Sequence, residues 1–514
     1  METVQASSIG KLLETGEPSA RAIGAPDGVP PLCYRDLIAL THRTVERLNA
    51  LGIGRGDRVA IVLANGPEAA TAFVCMAAGA TTAPLNPFYR ADEFKFYLDD
   101  LRARALVVEA GVDSPARGAA RELAIPIIEL HPQREKGAGS FTLEPLGPAR
   151  GAAERGGFGD AGDTALVLHT SGTTARPKIV PLLQRNVLAS ARHIATTLAL
   201  GAGDVCLNVM PLFHIHGLMA GTLASLAAGA QVCCCPHFSA LRFFAWFDEV
   251  RPTWYTAVPT MHQALLARAA RHSDACARSR LRLVRSSSAR LPAPVMKELE
   301  RVFKAPVLES YGMTETAHQI ASNPIPPARR EAGSVGCAAG PEVAIMDERG
   351  HLRESGETGE IVVRGPNVMP GYENNPDANA HAFHDGWFRT GDQGFLDEEG
   401  YLRITGRLKE LINRGGEKIS PSEVDEVLMH HPCVHHAVTF AVPHDALGEE
   451  VAAAVVLHEG RSATDHELKA FAAEHLAHFK VPRRIVFVRE IPKGPTGKVQ
   501  RIGLAAALGI AAGR

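Results

Sequence analysis

The chain has 514 residues, 46% hydrophobic and 21% charged, with 54 basic against 56 acidic side chains and a formal net charge of −2. That length exceeds what one compact core accommodates, so two or more domains are expected. The charge balance carries no footprint for nucleic acid or an anionic membrane, and neither partner is expected.

In chain order, YRDLIALTHRTVERLNALGI, from Tyr34, repeats apolar residues at helical spacing and stops at Gly54. GDRVAIVLA reads as a buried strand, PEAATAFVCMAAGA as a helix with a small-residue face, and TTAPLN as the next strand. Strand, helix, strand in this rhythm indicates parallel βαβ units. The rhythm recurs through VCLNVMP, PTWYTAVP, LRLVRSSSA and APVLESYG. In such sheets functional residues gather beyond the C-terminal ends of the strands. Residues 131–163, rich in Gly, Pro and charge, read as a loop or variable connection. From about 333 to 405 short strands alternate with Gly turns, a β-rich subdomain, and after Lys409 the pattern becomes a small α+β unit.

The nine cysteines include no CxxC pair, and METVQASSIGKLL lacks a basic-then-apolar leader. Reduced thiols and a cytoplasmic location are expected. The uncharged stretch GLMAGTLASLAAGAQVCCC, residues 217–235, is diluted by Gly, Ala, Ser and Thr and broken by Gly229. It reads as a buried helix followed by a buried strand, not as a membrane span.

Five clusters carry candidate chemistry. In LVLHTSGTTARPK an apolar run feeds a turn, so backbone N–H groups and the hydroxyls of Thr170, Ser171, Thr173 and Thr174 around Gly172 can surround phosphate oxygens, with Lys178 adding a point charge. The spacing is not GxxxxGK[ST], which argues against γ-phosphate hydrolysis by that loop. In ESYGMTETAH, Tyr311 offers a flat face for a base, Thr314 a hydroxyl and Glu315 a carboxylate for Mg²⁺ on phosphates; the segment alone is equally a capped helix start. In GWFRTGDQG, Asp392 sits in a Gly turn and is either a turn residue or an acceptor for ribose hydroxyls. GRLKELINRGGEKISPSE lies at the composition shift, and IPKGPTGKVQR holds a lysine in a terminal Gly/Pro loop.

TSGTTARPK, PLFHIHG, YGMTE, WFRTGD, GRLKELINRGGEKISP and PTGK together, in this order from about Tyr34 to Arg501, resemble the adenylate-forming superfamily of acyl-CoA synthetases, luciferases and peptide-synthetase adenylation domains. The resemblance implies an α/β fold: a large N-terminal domain, 1–408, of βαβ-type subdomains with parallel sheets plus the β-rich subdomain, and a small mobile C-terminal α+β domain, 409–514. It implies that ATP and a carboxylate give an acyl-adenylate and pyrophosphate, and that the thiol of coenzyme A then displaces AMP. Thr170, Ser171, Gly172, Thr173, Thr174 and Lys178 would hold the leaving phosphates, and Glu315 would bind Mg²⁺. Thr314 would meet the α-phosphate, Asp392 and Arg407 the ribose, and Glu309, Ser310, Tyr311, Gly312 and Met313 the adenine. Lys498 would bridge the α-phosphate and the attacking carboxylate. Lys409 matches the hinge, Gly415 and Gly416 the pantetheine slot, and His214 the aromatic gate between thiol tunnel and acid. His214 and His216 as a metal pair lack a third ligand.

Motif alignment puts the acid pocket at His216, Gly217 and His318, with Ser287 and Ser288 of RSSSARL where many relatives are glycine-rich. Polar residues there disfavour a long chain or a plain ring and suit a second carboxylate. LHTSGTTARPKIVPLLQRN, LRLVRSSSARL and LINRGGEKISPSEVD look like the oxalate–CoA ligase branch, so oxalate is the expected acid. Malonate, a medium-chain or aryl acid, or transfer to a separate carrier protein are the alternatives. YGMTE, where that branch often has YAMTE, is a departure.

Overall fold

The computed structural model describes residues 8–148, 151–170, 177–492 and 499–510. It forms two compact units, one of Met1–Thr170, Lys178–Val343 and Val363–Phe388, the other built on Ala344–Val362 and Arg389–Arg514.

The first unit contains two large sheets. In the seven-stranded sheet, Ile127–Pro132, Ala105–Glu109, Arg58–Val62, Thr81–Pro84 and Thr164–Thr170 run parallel in that order. Phe141–Pro145 and Lys178–Leu183 close its edges antiparallel. Successive side chains of a strand point to opposite faces, and both faces here are apolar. Val59, Ile61 and Val107 pack with Leu37 and Leu40 of the helix Tyr34–Ala50. Ala60, Val62, Leu106 and Val108 pack with Phe94 and Leu98 of the helix Ala91–Asp100. Fully burying one such Val, Leu or Ile contributes about 1.5–3 kcal/mol, which explains why these strands read as unbroken apolar runs.

The nine-stranded sheet has a parallel centre in the order Val307–Met313, Leu283–Ser286, Trp254–Ala257, Val205–Asn208, Gln231–Cys234 and Arg21–Gly24. Tyr255, Val284 and Val307 face the cluster that contains Phe243, Phe247, Leu299 and Phe303, from helices Phe243–Val250 and Ala293–Phe303. Trp254, Leu283 and Leu308 face the opposite way, with Ile194 of helix Gln184–Thr197 and Leu218 and Leu223 of the π-helical segment His216–Leu223.

The stretch tested as a membrane span is that π-helical segment, one further turn Ala224–Ala227 and the buried strand Gln231–Cys234. Among the described residues no helix is long and apolar enough to cross a membrane. Two expectations need correction. Residues 131–163 are not all loop, because Phe141–Pro145 is an edge strand whose Phe141 and Leu143 are buried while Thr142 and Glu144 face out, an alternation too short to stand out from its Gly-rich surroundings. Asp392 is not in a turn but inside the strand Trp387–Leu396, opposite Arg407 of Leu402–Arg407, because the positive φ of Gly391 (74°) is absorbed as a kink within the strand.

The region expected to be β-rich contains Glu342–Met346, Gly359–Arg364, Trp387–Leu396 and Leu402–Arg407, with one helix, Pro376–Ala382. In the second unit a five-stranded sheet of Ile412–Arg414, Glu417–Ile419, Val434–His444, Gly448–Leu457 and Arg484–Phe487 carries the helices Pro421–Met429 and Asp465–His475.

Candidate active site

The strands Thr164–Thr170 and Lys178–Leu183 form an antiparallel pair with Thr170 directly opposite Lys178. Ser171, Gly172, Thr173 and Thr174 lie outside the described residues. At the base of this pair His169 Nε2 is 3.0 Å from Asp100 Oδ2. Lys178 Nζ stands 4.4 Å from the centroid of the Tyr372 ring, and the Tyr372 hydroxyl donates to Glu315 Oε1 at 2.9 Å. One tyrosine therefore ties the lysine expected to hold phosphate to the carboxylate expected to hold Mg²⁺.

Glu315 sits in the 3₁₀ turn Thr314–Thr316, and its backbone carbonyl accepts from Met369 N at 2.8 Å. Among the described residues no group of three or more His, Cys, Asp or Glu side chains gathers as a metal site. Glu315 alone offers one carboxylate, and a magnesium ion takes one or two and completes its shell with phosphates and water.

The strand Val307–Met313 carries the expected adenine segment. Its buried first part makes hydrogen bonds to the neighbouring loop. Glu309 Oε1 accepts from Leu291 N at 2.8 Å, the Ser310 hydroxyl donates to Ser286 O at 3.2 Å, and the Ser287 hydroxyl donates to Ser310 O at 3.0 Å. Tyr311, Gly312, Met313 and Thr314 follow, half-buried. A Cβ at Gly312 would stand 1.3 Å from the carbonyl oxygen of His318, so glycine permits the close return of the strand His318–Ser322.

The acid-pocket positions converge. His216, wholly enclosed at 2% exposure, has Nδ1 3.0 Å from Ser288 Oγ and Nε2 2.6 Å from Thr256 Oγ1. The His318 ring stacks on it at 4.9 Å. Ser288 (φ 71°) and His318 (φ 97°) both occupy left-handed backbone conformations that cost energy for residues other than glycine, a property that clusters at functional sites. Gly217 lets the chain pass close by, since a Cβ there would meet the Pro211 carbonyl oxygen at 2.4 Å. His214 is half-buried with its ring 4.5 Å from that of Phe213.

Beneath these side chains lies a residue absent from the expected set. Arg285 is fully buried, with Nη1 3.4 Å from His216 Nε2 and Nη2 3.4 Å from Gln319 Oε1, and burial lowers its pKa to about 9. A charged residue on the inward face of the apolar run LRLVRS was the signal that alternation alone offered.

In the second unit Arg407 Nε donates to Asp392 Oδ1 at 2.8 Å. Lys409 lies in the 3₁₀ turn Leu408–Glu410. Gly415 (φ 60°) and Gly416 (φ 97°) make the two-residue turn between Ile412–Arg414 and Glu417–Ile419, where both central residues need positive φ. Lys498 lies outside the described residues.

Parallel sheets with hydroxyl, carboxylate and cationic groups collected past their strand ends define a nucleotide-dependent α/β enzyme. The chain belongs to the AMP-binding enzyme family, which it matches over residues 16–373, with the C-terminal domain of AMP-binding enzymes matching residues 423–498. It is an acid–thiol ligase of the AMP-forming type. It is 43% identical to an oxalate–CoA ligase of Arabidopsis thaliana, covering 94% of this chain and 95% of the relative. It is 40% identical to an oxalate–CoA ligase of Saccharomyces cerevisiae, covering 93% of each. The crystal structure of ATP-bound MatB from Rhodopseudomonas palustris superposes with a TM-score of 0.85 at 29% identity, over 97% of this chain and 99% of that one.

Proposed function

We propose that the acid this ligase activates is oxalate, joined to coenzyme A at the expense of ATP, which leaves as AMP and pyrophosphate. The observation that carries the reading is the enclosed pair of stacked rings, His216 and His318, with Ser288 hydrogen-bonded to the first. A buried polar group costs free energy unless it is hydrogen-bonded, so a pocket floored with such groups rejects an alkyl chain and suits an acid that is polar at both ends. The two oxalate–CoA ligase relatives support the same acid.

One carboxylate of the acid attacks the α-phosphorus, which brings two anions together, so positive charge must surround the reacting atoms. Magnesium, when bound, supplies that charge on the phosphates. Glu315 would hold it, Lys178 and Thr170 with Ser171, Gly172, Thr173 and Thr174 would hold the departing phosphates, and Thr314 would meet the α-phosphate. Lys498 bridges the α-phosphate and the attacking carboxylate. Tyr311 with Gly312 and Met313 lines the base, and Asp392 and Arg407 take the ribose. Lys409 serves as the hinge of a small mobile domain from 409 onward, Gly415 and Gly416 leave a slot for pantetheine, and His214 gates the thiol's approach. Nine cysteines that form no disulfide support a reducing, cytoplasmic setting.

The test is release of AMP and pyrophosphate by the purified chain over a panel of acids, with and without coenzyme A. AMP formation that depends on both oxalate and coenzyme A is expected. Strong turnover confined to medium-chain or aromatic acids would remove oxalate, and malonate as the best acid would replace it.

A further inference from the structure

Thr256 and Arg285 are register partners on adjacent parallel strands, and both lie on the sheet face that the His216–Leu223 segment covers. The guanidinium reaches His216 Nε2 at 3.4 Å, Thr256 Oγ1 at 3.5 Å and Gln319 Oε1 at 3.4 Å, and its Nε has no hydrogen-bond partner among the described residues. Among the described residues no carboxylate lies within ion-pair or hydrogen-bond reach of it. A buried cation with only long contacts to neutral groups is costly to keep, and its charge is uncompensated until an anion arrives.

The geometry also fixes the direction of the hydrogen bonds. A guanidinium only donates, so the imidazole nitrogen facing it, Nε2, is an acceptor. With Nε2 an acceptor, the ring proton sits on Nδ1. Nδ1–H then donates to Ser288 Oγ, while the Thr256 hydroxyl accepts from Arg285 and donates to Nε2. With its oxygen engaged in this way, the Ser288 hydroxyl keeps its own proton for an acceptor on the bound acid.

We propose that Arg285 is the positioning residue that makes this pocket select a dianionic acid: through His216 and Ser288, without touching the acid, it presents a hydroxyl donor and a fixed positive charge to the second carboxylate. The proposal rests on the oxalate reading above, and two measurements separate their fates.

The first compares oxalate with glycolate and acetate, which carry one charge, in the full-length enzyme and its Arg285→Met and Arg285→Lys variants. Arg285→Met is expected to raise KM for oxalate and lower kcat/KM on the order of 10–100-fold, the scale of one charge-assisted hydrogen bond. Glycolate is expected to change by less than threefold, Arg285→Lys to recover part of the oxalate preference, and titration with a fluorescent ATP analogue to be unaltered in both variants. Losses shared equally by oxalate and glycolate, or an oxalate preference retained in Arg285→Met, overturn the proposal. The second measurement is the ¹⁵N chemical shifts of the His216 ring, assigned by their loss in His216→Gln. An Nδ1–H tautomer in the wild type that is lost or mixed in Arg285→Met supports the proposal, and an Nε2–H ring or an imidazolium in the wild type overturns it. A wild type that does not prefer oxalate over glycolate ends the substrate reading, and the ring tautomer still decides what Arg285 does to His216.

Discussion

Tyr372 joins two side chains proposed to meet the nucleotide: its ring lies against Lys178 and its hydroxyl holds Glu315. Tyr372→Phe keeps the cation–ring contact and removes only the hydrogen bond to the carboxylate. The expected outcome is an apparent affinity for Mg²⁺ weakened about tenfold, with the KM for the acid unchanged, read by magnesium titration of AMP formation and by calorimetric titration of Mg²⁺·ATP. Arg285 gives a prediction of opposite sense. Its pKa in the fold, about 9, lies below the ordinary arginine value, so holding the proton favours the unfolded chain. That penalty is fully present below pH 9 and fades as pH rises through the folded value toward the unfolded one. Arg285→Met should therefore be more stable than wild type at pH 7, by about 1–4 kcal/mol, with the gap narrowing above pH 9, checked by thermal denaturation across pH. The sequence placed Lys178 and Glu315 just beyond apolar runs, and the structure puts them at a strand start and in a 3₁₀ turn that Tyr372 links. Residue chemistry was less legible where backbone partners engage the group. Ser287 and Glu309 look like ligand groups in the sequence, and the structure adds hydrogen bonds to Ser310 O and from Leu291 N that only the pairing of neighbouring strands creates.

At the scale of elements, the hairpin between Val307–Met313 and His318–Ser322 does the positioning. It turns through Thr314–Thr316, brings Glu315 beside Tyr372, and returns His318 onto His216. Asn367 Nδ2 fastens the return by donating to Thr316 O at 2.8 Å and Gln319 O at 3.0 Å. Gly312 lets the two strands approach, because any Cβ there collides with backbone, which cannot swing aside as a side chain can. Gly312→Ala is therefore expected to push His318 away from His216 and to lower kcat/KM for the acid on the order of 100-fold, with ATP binding retained. Steady-state kinetics against oxalate and an ATP-binding titration measure the two effects. The parallel strands themselves were legible, since Val59 to Val62 and Val205 to Asn208 are short apolar runs closed by turns. Asp392 was misplaced because Gly on both sides mimics a turn, and only the pairing with Arg407 reveals a strand. The π-helical character of His216–Leu223 has no periodic signature in eight residues.

Across the whole molecule, the two-unit division is only half visible in the sequence. The change of texture near Lys409 marks a composition boundary, whereas the second unit also takes Ala344–Val362 and Arg389 onward, because strands far apart in sequence share one sheet. The cysteines make a prediction at this scale. Cys75, Cys206, Cys233, Cys234, Cys235 and Cys276 are buried, while Cys33, Cys337 and Cys433 are partly exposed. Burial pushes the thiols of Cys75 and Cys233 up to about 12 and raises those of Cys206, Cys234 and Cys235 well above the ordinary range. A colorimetric thiol reagent should label three groups per native chain rapidly and the other six only after denaturation. Fast labelling of more than three would contradict the packing described.

An acyl-adenylate is an electrophile that meets sulfur, and this enzyme carries nine thiols of its own. By burying Cys233 and Cys234 inside a strand sandwiched between helices and Cys235 just past its end, as undissociated thiols, the fold withholds three adjacent rival nucleophiles from the intermediate. Self-acylation, the characteristic hazard of making a reactive mixed anhydride beside mercaptans, is thereby denied its most concentrated target.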